Sequence, residues 1–243
     1  MGLIGKARTV WRGLTRPGPD RYFLAELLAY RLDHEAVLSE RDRMWLSDRD
    51  FSDRYRRFDP DSLRRMDRIY LLDQLARLAA TLPGDTVECG AYAGASSYFI
   101  CRRIAGSGKL HHIFDSFAGL SPPGPQDGDY WRQGDLASPE ETARTNLAEF
   151  DFVRFYKGWI PDRFVEVADR SFSLVHLDVD LYRPTRDCLE FFYPRMVEGG
   201  VLIMDDYGFS TCPGARRAAL EFFSTGGEVV LDMPTGQGVV FRR

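Results

Sequence analysis

Cysteine is scarce in this 243-residue chain, and its four copies at 89, 101, 188 and 212 stand too far apart for a local zinc knuckle or a CxxC redox pair. Four are also too few for a disulfide framework, so a reducing, cytoplasmic setting is expected. No apolar run approaches the ~20 residues that cross a bilayer, and the first residues lack the apolar core of a secretion signal. Neither sign of charge dominates: 32 Lys and Arg face 36 Asp and Glu, for a net −4. The bias is local. Residues 1–80 hold 16 basic and 13 acidic side chains and residues 81–243 hold 16 and 23, so the larger part carries −7 and repels phosphate backbones. Lys6, Arg8, Arg12 and Arg16 around Trp11 suggest a short basic arm, which Gly13, Pro17 and Gly18 break. Neither a nucleic-acid nor a membrane partner is expected. With 44% apolar residues, the chain can bury the core of one catalytic-sized domain.

Two patterns divide that length. Apolar residues at helical spacing run from Asp20 through Leu32, and again from about Asp61 through Leu63, Met66, Ile69, Leu72 and Leu75 to a stop at Pro83-Gly84. Between them, residues 44–58 mix Met44, Trp45, Phe51, Tyr55 and Phe58 with charges, as a segment covering a site or meeting a second subunit would. After Gly84, strand-like runs appear at 85–89, 109–114, 152–156, 171–178, 199–204, 227–232 and 238–241. Helical stretches at 95–105, 139–150, 184–196 and 213–224 separate most of them, which predicts an α/β, doubly wound and mostly parallel sheet. Only MPTGQ separates the last two runs, too little for a crossover, so an antiparallel hairpin is expected at one edge.

Ligands of such sheets lie beyond the carboxyl ends of the strands. Polar residues gather there. The first run ends in VECGAYAGASS, where Gly90 and Gly94 permit a tight turn, Ser96 and Ser97 open a helix, and Glu88 precedes the turn. One glycine short of G-x-G-x-x-G and lacking a lysine, this turn counts against NAD and ATP. Asp115, ending HHIFD, occupies the place where an acid accepts bonds from a ribose diol, while His111 and His112 lie away from the ligand end. Asp178 and Asp180 in HLDVDLY, with Asp205 and Asp206 in IMDDYG, would repel one another in a cleft. A divalent cation removes that conflict, and oxygen ligation completed by water and substrate suits Mg²⁺. Metal beside a nucleoside pocket suggests positioning of a hydroxylated small molecule.

The ordered motifs VECGAYAGAS, FDSFAGL, FVRFYKGW, LDVDLYRPT, FYPRMVEGGVLIMDDYG and CPGARRAALEFF resemble the macrocin O-methyltransferase family, from about Arg68 to Asp232. The resemblance implies a class I, Rossmann-like fold dependent on S-adenosylmethionine, with a seven-stranded sheet, a C-terminal antiparallel hairpin and an N-terminal helical lid. Residues 1–80 would be the lid or oligomerisation region and 81–243 the catalytic domain. It further implies cofactor contacts at Glu88, Gly90, Ala91, Tyr92, Gly94, Ser96, Asp115, Ser116, Gly158, Trp159 and Asp178, and Mg²⁺ ligands at Asp178, Asp205 and Asp206. Asp178 is the first candidate base for the acceptor hydroxyl, and Asp180 the second.

Two departures stand out: Ala93 replaces a family arginine, and residues 121–142 lack the family's loop histidine, offering Asp127, Asp129, Tyr130 and Asp135 instead. Macrolide specificity therefore does not follow. The leading expectation is an O-methyltransferase of a sugar or other polyhydroxylated secondary metabolite, working as a homo-oligomer. The alternatives are the same fold acting on nitrogen or a phenol or catechol, and a non-catalytic cofactor-binding partner.

Overall fold

The computed structural model describes residues 10–15, 19–32, 44–59, 65–225 and 227–243. The basic positions 6, 8 and 16 and the expected helix start at 61–63 lie outside them. The chain forms two compact units, Met1–Asp53 and Arg54–Arg243.

The first unit holds α1 (10–15), α2 (Pro19–Leu32), α3 (Met44–Ser47) and the start of α4 (Arg49–Tyr55). Asp48 begins α4, its carboxylate accepting the Phe51 N–H at 3.0 Å, and Ser52 donates to the Trp45 carbonyl at 2.7 Å. The mixed aromatic and charged stretch is thus largely helical.

In the second unit α5 (Met66–Ala79) leads into β1 (Asp85–Cys89), followed by α6 (Ala95–Ile104), β2 (His111–Asp115), α7 (Glu140–Asn146) and β3 (Val153–Lys157). Then come β4 (Phe172–Leu177), α8 (Tyr182–Phe192), β5 (Met196–Met204), α9 (Pro213–Phe223), β6 (Leu231–Asp232) and β7 (Gly238–Phe241). The sheet has seven strands in the order β3-β2-β1-β4-β5-β7-β6. Strands β1 to β5 pair in parallel, and β7 is antiparallel to both β5 and β6. This is the Rossmann-like methyltransferase arrangement with its terminal hairpin. Winding reverses between β1 and β4, which opens the crevice there.

Alternation along the central strands supplies both cores. Val201 and Ile203 of β5 join Leu72, Ala76 and Ile100 from α5 and α6, whereas Leu202 and Met204 join Leu189, Phe192 and Ala219 from α8 and α9. Such two-sided burial explains why these strands read as continuous apolar runs. The expected helix at 184–196 begins earlier, at Tyr182, because Pro184 sits in the first turn, where its missing N–H costs nothing. It ends earlier because Pro194 turns residues Tyr193–Arg195 into a 3₁₀ turn. No helix among the described residues is long and apolar enough to cross a membrane.

Candidate active site

A cavity of about 760 Å³ opens at the carboxyl ends of the strands. Its wall includes Gly90, Tyr92, Asp115, Ser116, Gly158 and Trp159 on one side, and Asp178, Asp180, Asp206 and Cys212 on the other. That volume is in the range of small-molecule and cofactor sites, roughly 300–1,000 Å³. Of the residues expected at the site, Glu88, Ala91, Gly94, Ser96 and Asp205 do not line it.

The first side is built on the turn after β1. Gly90 has φ +85°, and a Cβ there would overlap the carbonyl oxygen of Asp178, so the ends of β1 and β4 approach closely only because the residue is glycine. Asp115 stabilises the same turn, accepting from the Ala91 and Tyr92 N–H groups at 2.7 and 3.0 Å through one oxygen and from Phe117 N–H at 2.7 Å through the other. The second oxygen, with one bond, retains capacity toward the cavity for a ligand hydroxyl. Tyr92 itself has φ +50° and is half exposed. The turn and the ribose-type acid therefore form one hydrogen-bonded unit.

Glu88 lies behind that turn, fully buried. Ser97 donates to one of its oxygens, and His176 Nδ1 lies 2.7 Å from the other. The opposite His176 nitrogen lies 3.5 Å from Asp205. Ser97 also meets His111 at 3.0 Å, and His111 meets Thr86 at 2.9 Å. Burial pushes the His111 pKa down to about 4. His112 is bonded instead to Tyr156 and Asp85, so the adjacent histidines serve separate structural bonds.

On the other side, ligand oxygens of Asp178, Asp205 and Asp206 come within 4.8 Å of one another. Asp180 lies past the end of β4 in the left-handed region, at φ +58°, and its N–H donates to Asp206 at 2.8 Å. Burial, then the charge of Asp178, raises the Asp180 carboxyl to about 7, and burial with the charges of Asp180 and Asp178 pushes Asp206 well up. Like charges held this close, with oxygen donors only, form a set suited to a hard divalent cation. A second grouping, Asp180, Asp206 and Cys212, includes a thiol and suits such a cation less well.

Sequence reading misses the groups that hold these acids. Arg68 forms an ion pair with Asp205 and stacks 4.6 Å over Phe209, and Arg65 lies 3.4 Å from Asp178. Gln237, fully buried in the terminal hairpin, donates to Asp205 at 2.6 Å. Positions 65 and 68, three apart at a helix start, share a face, which was the available signal for the arginines. Nothing local marks Gln237.

The family model described as macrocin-O-methyltransferase (TylF) matches residues 62–242. The 8-demethyl-8-(2,3-dimethoxy-alpha-L-rhamnosyl)-tetracenomycin-C 4'-O-methyltransferase of Streptomyces olivaceus is 33% identical over 168 residues, covering 63% of this chain and 64% of that protein. Demethyldecarbamoylnovobiocin O-methyltransferase of Streptomyces niveus is 31% identical over 159 residues, 58% of each. The chain thus spans less than two thirds of the length of these two relatives. Among solved structures, the O-methyltransferase NovP superposes with a TM-score of 0.62 at 26% identity, over 73% of this chain and 80% of that one.

Proposed function

The chain belongs to the macrocin-O-methyltransferase family, and from that premise we propose that it transfers a methyl group from S-adenosylmethionine to a hydroxyl of a glycosylated or otherwise polyhydroxylated secondary metabolite. The observation that carries this reading is the single cavity joining the Gly90–Asp115 turn to the acids Asp178, Asp180 and Asp206. The S. olivaceus relative is named for a rhamnosyl-bearing compound, which supports a sugar hydroxyl as acceptor.

In this reading Asp115 accepts the ribose hydroxyls, and the turn at Gly90, Ala91, Tyr92 and Gly94, with Ser96, Ser116, Gly158 and Trp159, holds the rest of the cofactor. Glu88 supports the turn from behind. Bound S-adenosylmethionine supplies an electrophilic sulfonium methyl, and Mg²⁺ held by Asp178, Asp205 and Asp206 supplies Lewis acidity toward the acceptor hydroxyls. Asp178, at the cavity wall, receives the hydroxyl proton as the acceptor oxygen bonds to the methyl carbon and the sulfur–carbon bond breaks; Asp180 is the second candidate. No loop histidine is required. The test is calorimetry with S-adenosylhomocysteine, followed by mass spectrometry of a glycoside panel for the gain of one methylene mass. Micromolar binding and a Mg²⁺-dependent product are expected, with the Asp206→Ala variant losing the metal dependence and at least about a hundredfold in rate. Absence of cofactor binding sinks the reading.

The lid or subunit-contact role of residues 1–80 and a homo-oligomeric state are part of the same proposal. Exposed Leu27, Leu28 and Leu32 on α2 support them, and light scattering of the full chain against one lacking residues 1–53 tests the oligomer. Four buried, unpaired cysteines accord with a reducing compartment.

A further inference from the structure

The loop between β2 and α7, residues 116–139, forms part of the cavity wall through Leu120, Tyr130, Trp131 and Leu136. Loops of this length are ordinarily mobile unless something ties them down. Here one buried side chain does so. Asp127 is 3% exposed, and its Oδ1 accepts the N–H of Tyr182, the first residue of α8, at 2.6 Å. Its Oδ2 accepts the N–H of Gly124, within the loop, at 2.7 Å. Leu181, at the N-cap position of α8, makes no side-chain cap bond, so the helix is capped by a carboxylate from 55 residues earlier. The first turn of α9 makes room for it: a Cβ on Gly214 would overlap Asp127 Oδ1 and lie 2.9 Å from the Tyr182 nitrogen.

The tie continues to the reactive end of the cavity. Trp131 donates its indole N–H to Cys212 Sγ at 3.4 Å, and the Cys212 thiol donates to Asp180 at 3.4 Å. Tyr130 stands edge-on to Trp131, with ring centroids 4.8 Å apart, and is 64% exposed. Aromatic faces held this way suit the apolar C–H faces of a sugar ring or a flat aglycone.

We propose that Asp127 is a positioning residue that docks this loop on the starts of α8 and α9, so that the acceptor-side wall exists before the acceptor arrives. The assignment of that wall to the acceptor rests on the methyltransferase reading; the docking does not. It also removes Asp127 from the polar groups free to replace the missing histidine, because it is buried behind the loop and does not line the cavity.

Trypsin cleavage after Arg132, an exposed loop residue, measures the docking in ligand-free, full-length protein. The wild type is expected to resist cleavage there, Asp127→Ala and Gly214→Ala to be cut about tenfold or more faster, and Asp127→Asn to fall between wild type and Asp127→Ala, because its amide oxygen serves one backbone N–H while its NH2 faces the other. S-adenosylhomocysteine affinity is expected to stay within about threefold in all three variants, since the cofactor side does not use the tie. Equal cleavage of wild type and Asp127→Ala overturns the proposal. So does loss of cofactor affinity together with protection, which marks a general structural role. If Asp127→Ala does not fold, Gly214→Ala decides, with cleavage at the wild-type rate counting against docking. A wild type that resists trypsin yet binds no S-adenosylhomocysteine removes the methyltransferase reading and leaves the docking intact.

Discussion

At the scale of single residues the cavity depends on places where only one side chain can stand. Gly90 is the clearest, because its positive φ and the adjacent Asp178 carbonyl each exclude a Cβ. Gly90→Ala is expected to separate β1 from β4, weaken S-adenosylhomocysteine binding by more than about tenfold and lower stability by about 2 kcal/mol, measured by calorimetry and urea unfolding. Wild-type affinity in that variant would place the cofactor elsewhere. Gly90, Asp115, Asp178 and Asp206 were all legible in the sequence because a parallel sheet sends its ligand groups to the strand ends, so position along a strand stands in for position in space. Arg68, His176 and Gln237 were not. Their partners lie 137, 88 and 32 residues away, at Asp205, Glu88 and Asp205 respectively, and only the assembled sheet brings those atoms together.

Among the elements, β1 to β5 and α6 to α9 were readable because short strand-like runs, fully apolar only toward the sheet centre, alternate with helical stretches, most of them bounded by Gly or Pro. The terminal hairpin was readable from a connection too short for a helix, although β6 is only the two residues Leu231–Asp232. The role of α5 was less visible, since its polar residues look like a solvated face. In the fold Asp73 is fully buried and pairs with Arg103, whose Nε donates to it at 2.7 Å, joining α5 to α6. Removing Asp73 takes a fully buried carboxylate and its charge-assisted hydrogen bonds away from Arg103. Asp73→Ala is therefore expected to cost about 3 kcal/mol in chemical denaturation, less if the partly exposed Arg103 reaches water. A single-variant cost below about 0.5 kcal/mol would mean that α5 is held by its apolar face alone.

For the molecule as a whole, one buried polar chain crosses the fold from Thr86 through His111, Ser97, Glu88 and His176 to Asp205. It links the strand that leads into the Gly90 turn to the acid cluster, and its member His111 sets an acid limit on folding. Burial, the largest cause, disfavours the charged form of His111; Glu88 on β1 opposes it, and His112 on the same strand and His176 on β4 add to it, so that the pKa is held at about 4 against an ordinary 6.5. The unfolded chain consequently binds a proton that the folded chain refuses between those values. Stability from this residue is complete above pH 6.5, falls as pH drops toward 4, and changes no further below it. The full difference is about 3 kcal/mol, a substantial share of a typical domain's stability of roughly 5–15 kcal/mol. Urea unfolding from pH 7.5 to 4 is expected to show a slope of up to one proton in this window, and His111→Gln, which can still bond Thr86 or Ser97, should lose that proton while remaining folded at pH 7.5. An unchanged slope in the variant would show that His111 does not set the acid sensitivity; the raised carboxylates of the cavity act in the opposite sense, because the folded chain binds their protons more readily than the unfolded chain.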